Sequence, residues 1–122
     1  MKIKPGARRD NLHPTLDQIL GIVDQLWPLW YPDDADGALI TSGNEGHPGD
    51  GVHGVSSKHY AENTASKKGE AVDLRLNDVK NGLAHQFAAN LEFILLRVHG
   101  IRVSIFLENI LKTTAHIHIQ LK

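Results

Sequence analysis

The sequence predicts an α+β fold from three observations. Two apolar stretches repeat at helical spacing, four shorter runs read as strands, and turn-forming residues collect between them. The 122 residues suit a single domain, 1–122, with one modest core.

Residues 1–13 read as an extended lead-in. In PTLDQILGIVDQLWPLW, Leu16, Ile19, Leu20, Ile22, Val23, Leu26 and Trp27 recur at helical spacing. This predicts a helix from Pro14 to Trp27, with Thr15 as candidate N-cap and Pro28 as its end. WYPDDADG is a turn-rich connection, and GALITSG gives a short strand, Ala38–Thr41. The next stretch, GNEGHPGDGVHGVSSKHYAENTASKKGE, has no period, so loop with partial disorder is expected. A loop this long inside a compact domain is usually functional or disordered. GEAVDLRL predicts a strand over Ala71–Arg75. Asn77 or Asp78 is placed to cap a helix through VKNGLAHQFAANLEFILLRVHG, ending at Gly100. IRVSIFLE and AHIHIQLK complete the chain as a hairpin.

The hairpin register follows from the apolar pattern. A turn centred on Lys112 sets Leu107 opposite Ile117, Ile105 opposite Ile119 and Val103 opposite Leu121. These six share one face. Glu108 then faces His116, Phe106 faces His118 and Ser104 faces Gln120 on the other. The connection is Asn109 to Ala115, whose Ile110 and Leu111 must pack elsewhere.

Composition narrows the function classes. Lys plus Arg is 13 and Asp plus Glu is 14, a net charge of −1. That balance predicts neither a nucleic-acid nor an anionic-membrane partner. MKIKPGARRD has basic residues with no apolar run behind them, so no signal peptide is read. No stretch approaches the roughly 20 apolar residues of a membrane span. There is no cysteine, so a metal site would have to use His, Asp or Glu. Histidine is abundant, with eight residues.

His116 and His118 alone fit a solvated strand face. Glu108 on the same face, Asp73 at the mouth of a strand and His59 just before it add a second possibility. Two imidazoles and a carboxylate can hold Zn²⁺ with one position left for water. A neighbouring carboxylate can take that water's proton. His53 is read as a loop histidine or a supporting partner of the site, and His47 as exposed. His13 is placed to pack at the helix start, while His85 and His99 lie on the second helix. Trp27, Trp30 and Tyr31 read as core and rim.

SSKHY, GEAVDLR and HIHI together resemble the signature of the zinc D-Ala-D-Ala peptidase and Hedgehog N-terminal domain superfamily. Ser57, His59 and Tyr60 match its first part, Gly69, Ala71, Val72 and Asp73 its second, and His116 and His118 its last. ITSGNEGHPGDGVHG and LHPTLDQILGIVDQLW are similar to the approach and first helix of small phage-encoded members. The resemblance implies a small antiparallel sheet flanked by helices, with Zn²⁺ on its open face. It implies His59, Asp73 and His118 as ligands, and His116 as an active-site neighbour that stabilises an oxyanion. Glu108 is the candidate general base.

The implied activity is that of a metallopeptidase, a hydrolase cutting peptidoglycan stem or cross-link peptides. It would be either D-Ala-D-Ala carboxypeptidase-like or L-Ala-D-Glu endopeptidase-like. A phage endolysin of this type is made in the cytoplasm and degrades the bacterial cell wall, and a monomer is expected. The alternative is a zinc-binding module of the same fold without catalysis, serving binding or phage structure. A metal-free domain with incidental histidines is a third possibility.

The chain departs from the pattern at three points. Thr113 and Lys112 stand where an acidic residue is usual, and Glu108 lies eight positions before His116. Ala61–Lys68 fills a longer gap than usual between His59 and Gly69, and is expected to border the cleft. Such an insertion costs on the order of 1 kcal/mol or less in loop closure. TSGNEG lacks the arginine that carboxypeptidases of the family use to hold a carboxylate; Arg75, Arg102 and Lys58 are the substitutes for that role, each of which also reads as a solvated cation.

Overall fold

A computed structural model describes residues 1–122, residues 78 and 79 by backbone alone. Five strands form one sheet: β1 (Lys2–Ile3), β2 (Leu39–Ser42), β3 (Ala71–Arg75), β4 (Val103–Glu108) and β5 (His116–Leu121). Their order is β1-β2-β3-β5-β4. Two long helices, α1 (Pro14–Trp30) and α3 (Ala84–His99), and the single turn α2 (Asp78–Asn81) complete the fold. It is α+β, as the pattern predicts, but the sheet is mixed rather than antiparallel. β1 runs parallel to β2, while the other three pairings are antiparallel. The lead-in therefore does more than extend: Lys2 N–H reaches the Ala38 carbonyl at 3.0 Å and Lys4 N–H the Ile40 carbonyl at 2.9 Å.

The first helix differs from expectation at both ends. Its cap is His13, whose Nδ1 accepts from the Thr15 N–H at 3.1 Å, so Thr15 is not the cap. Pro14 occupies the first turn, where its missing N–H costs nothing. The helix also continues past Pro28 to Trp30. Proline in the last turn forfeits one bond, but Tyr31 N–H still closes on the Trp27 carbonyl at 2.7 Å. Trp27 packs there against Tyr31 and Phe87, with ring centroids 4.6 and 5.2 Å apart, which favours the extra turn.

The second predicted helix is two. Asn77 caps α2 by accepting from Lys80 N–H at 3.0 Å, and the chain breaks around Gly82 before α3. The alternative cap, the Asp78 side chain, lies outside the described residues. Buried Lys80 pairs with Asp34 at 2.7 Å and tethers α2 to the end of α1. α3 stops at Gly100, whose φ of 65° allows Ile101 N–H to reach the Leu95 carbonyl at 2.8 Å.

The hairpin has the register read from its pattern, including Glu108 opposite His116 and Phe106 opposite His118. Ile117, Ile119 and Leu121 join the core with Leu16, Ile19, Trp27, Phe87 and Leu95 from the helices. His116, His118 and Gln120 alternate onto the other face. In the connecting loop Ile110 packs against the core, whereas Leu111 is 89 % exposed. β2 sits one residue later than expected, which puts Ser42 opposite Asp73. No helix among the described residues is long and apolar enough to cross a membrane.

The long segment between β2 and β3 is an organised cover over the open face. Asp50 accepts from the Tyr60 hydroxyl at 2.6 Å, Val52 N–H at 2.9 Å and His47 N–H at 3.2 Å. These donors hold the Asp50 carboxyl down at about 2. Glu70 N–H donates to the Lys58 carbonyl at 2.8 Å, and Lys58 Nζ to the Leu121 carbonyl at 2.7 Å. Composition hides this order, because its partners are backbone groups and single side chains rather than an apolar face.

Candidate metal centre

β3 and β5 bring three predicted residues together. Asp73 stands opposite His118, and Arg75 opposite His116. Asp73 shares the open face with Arg75, two positions along the strand. The cover contributes His59, fixed by Tyr60, which is buried, and by its own N–H to Ser57 Oγ at 3.1 Å. All five predicted residues, His59, Asp73, Glu108, His116 and His118, line one cleft of about 360 Å³.

The hydrogen bonds decide which atoms face inward. His59 Nδ1–H donates to the Gly43 carbonyl at 2.8 Å. Its Nε2 is buried, has no hydrogen-bond partner, and faces Asp73 Oδ2 at 3.4 Å. His116 Nδ1–H donates to the Thr114 carbonyl at 2.8 Å, which turns its Nε2 toward Asp73 Oδ2 at 3.9 Å and Glu108 Oε1 at 3.6 Å. In neutral imidazoles these inward nitrogens are lone pairs. Lone pairs facing carboxylates call for a cation between them.

His118 differs. Nδ1–H donates to Asp73 Oδ1 at 2.8 Å and Nε2–H to Gln120 Oε1 at 2.9 Å. Burial opposes charge on His118, but these two bonds push its pKa up. Burial likewise opposes charge on Asp73, yet the His118 and His59 contacts hold its carboxyl well below the usual range. Asp73 is thus an anion surrounded by imidazoles.

His53, His59 and Asp73 form a buried group whose donor atoms lie within 4.8 Å of one another and could hold a metal ion. A second such group comprises Asp73, Glu108 and His116. The donor set fits zinc, being nitrogen and oxygen only, with the outer nitrogens of His59 and His118 each donating to a fixed oxygen.

His53 is the residue that sequence reasoning undervalued. It is no ordinary loop histidine: its ring stacks on His59 with centroids 4.0 Å apart and planes 7° apart. Burial and the adjacent His59 push its pKa down. Its Nε2 lies 2.8 Å from Ser42 Oγ, and Ser42 donates to Glu45 at 2.5 Å. Glu45 also accepts from Gly43 and Arg8 N–H at 2.7 and 2.9 Å. Burial works against charge on Glu45, but these donors outweigh it and lower its pKa. Stacking across a glycine-rich turn leaves no periodic mark, so the pattern could not choose between a loop histidine and a supporting partner.

Other expectations are settled by position. Ala61–Lys68 does not line the cleft; it forms a short 3-10 turn over Ala61–Asn63 and folds around Thr64. Lys58 is committed to Leu121, and Arg102 lines a different hollow with His13 and Lys122. Arg75 lines an adjoining cleft with Lys4, Thr41 and Thr114, which shares Val52, Asp73, Asn109 and His116 with the first. His47 is exposed, as expected, and His85 and His99 lie on α3, at its start and end, both exposed. Comparison of the chain with known protein families, curated proteins and solved structures finds no match in any of the three.

Proposed function

We propose that this chain is a zinc metallopeptidase of the D-Ala-D-Ala peptidase and Hedgehog N-terminal type, acting on peptidoglycan stem or cross-link peptides. The observation that carries the reading is the buried His59 Nε2, without a hydrogen-bond partner and facing an ionised Asp73. His59, Asp73 and His118 would hold the ion, and His118 must first lose its Nδ1 proton. Bound zinc would supply Lewis acidity and a water of lowered pKa.

The chain's own groups supply the rest. Glu108, half exposed at the end of β4, has its Oε1 3.6 Å from His116 Nε2 and 3.7 Å from His118 Nδ1. From there its carboxylate takes the proton of the attacking water and delivers it to the leaving amine. His116 would hydrogen-bond the developing oxyanion through Nε2, which requires a second ring proton beside the Nδ1–H held by the Thr114 carbonyl. Arg75 and Lys4, at the far end of the joined clefts, supply positive charge for a substrate carboxylate. Among the described residues neither forms an ion pair, which keeps both available. The closeness of Glu108 to the imidazoles favours an enzyme over a zinc-binding module without catalysis.

The test is digestion of purified peptidoglycan by zinc-loaded protein, with mass analysis of the fragments. Wild type should release peptides with new amine termini. Glu108→Gln should bind zinc yet release none. A wild type that binds zinc and cuts nothing would leave only the binding module, and an active Glu108→Gln would remove Glu108 as base.

A further inference from the structure

We propose that Glu45, Ser42 and His53 form a hydrogen-bonded relay that fixes the His53 ring against His59, making His53 a positioning residue for the metal ligand. The inference rests on His59 being a ligand, as argued above.

The proton count fixes the direction of the relay. Glu45 takes two backbone N–H groups on Oε1 and the Ser42 hydroxyl on Oε2, so it is an acceptor throughout. Ser42 has one proton and gives it to Glu45. The 2.8 Å contact between Ser42 Oγ and His53 Nε2 must then be donated by the imidazole. That sets the tautomer and the rotation of His53, while its backbone N–H is tied to the Tyr60 hydroxyl at 3.1 Å.

Ring geometry says what the relay is for. The planes of His53 and His59 are 7° apart with centroids separated by 4.0 Å. A zinc–nitrogen bond of about 2.0–2.1 Å lies in the plane of its imidazole. As stacked, two nearly parallel rings at that separation do not both aim in-plane lone pairs at one ion, so the group of His53, His59 and Asp73 would act together on an ion only if the His53 ring turned. In the stacked arrangement the ion is reached through His59 and Asp73, and His53 backs the His59 ring. The Gly43 carbonyl restrains the edge of that ring, and the stack restrains its face.

Zinc affinity by chelator competition and the visible spectrum of the cobalt-loaded protein test this, with circular dichroism checking that each variant folds. Ser42→Ala and His53→Ala should each weaken zinc binding by roughly 10–100-fold and alter the cobalt spectrum. His53→Phe, which can still stack, should bind more tightly than His53→Ala. If wild type binds and His59→Ala does not, but all three variants match wild type in affinity and spectrum, the relay has no positioning role. A loss in Ser42→Ala without one in His53→Ala would also overturn it. Failure of wild type to bind any ion would overturn this inference together with the metal reading, and so is distinct from the other outcomes.

Discussion

At the residue scale, the site depends on two small decisions. Gly43 carries the carbonyl that receives His59 Nδ1–H, and a Cβ on Gly43 would overlap the Arg8 carbonyl oxygen. That oxygen also accepts from Asn44 N–H at 2.8 Å, so the backbone there has little room to yield. Gly43→Ala should therefore displace the carbonyl that orients His59 and weaken zinc binding by roughly tenfold or more, read by chelator competition. An unchanged affinity would mean the ring is held by the His53 stack alone. The second decision is the proton on His118 Nδ1. Its pKa is raised by Asp73, so the proton stays on to higher pH than in a free histidine. Zinc bound through this nitrogen would have to displace the proton, so affinity should rise with pH until His118 has titrated, and calorimetry in buffers of different ionisation heat should detect proton release. An affinity independent of pH across that window would exclude His118 as a ligand.

At the element scale, the hairpin was legible and the cover was not. A one-residue slip of β5 would carry Ile117, Ile119 and Leu121 off the core, at about 1.5–3 kcal/mol each, and bring in imidazoles instead. The register was therefore written in the alternation, and with it the facing of Glu108 and His116. The β2–β3 segment carries no such code. Its order rests on Asp50, Tyr60 and Lys58, each satisfying particular groups, and a composition of Gly, Ser and Lys gives no hint of them. Asp50 offers a direct check. Its folded-state value of about 2 lies below the unfolded value of 3.8, so its contribution is complete above about 4 and is lost as pH falls toward 2. Asp50→Asn should make the cover exchange amide hydrogens faster at neutral pH, and should flatten the acid dependence of that exchange between about pH 4 and 2. Equal protection in both proteins at every pH would show that Tyr60 and Lys58 hold the cover without it.

At the scale of the whole molecule, the helices and the site lie on opposite faces of one sheet. α1 and α3 supply the apolar layer, and the sheet presents Asp73, His116 and His118 on its other side. The cover closes over that side and brings His59 and His53 down onto Asp73. An ion held there would bridge strands β3 and β5 to a segment otherwise tied to the sheet by individual hydrogen bonds, such as Lys58 Nζ to the Leu121 carbonyl. Metal binding should thus stabilise the fold rather than merely occupy it. Zinc at about a hundred times its dissociation constant would add about 2.7 kcal/mol. For a domain of this size that is a rise of roughly 10 °C in melting temperature. A chelator should reverse the rise, and His59→Ala or Asp73→Asn should abolish it. The order of loss is also expected: without metal, amides of 43–70 should exchange before those of β4 and β5, because the hairpin is held by the core and the cover by individual hydrogen bonds of Asp50, Tyr60 and Lys58. If zinc left both the melting temperature and the exchange of the cover unchanged, the cover would be held without metal and the metal reading would fall.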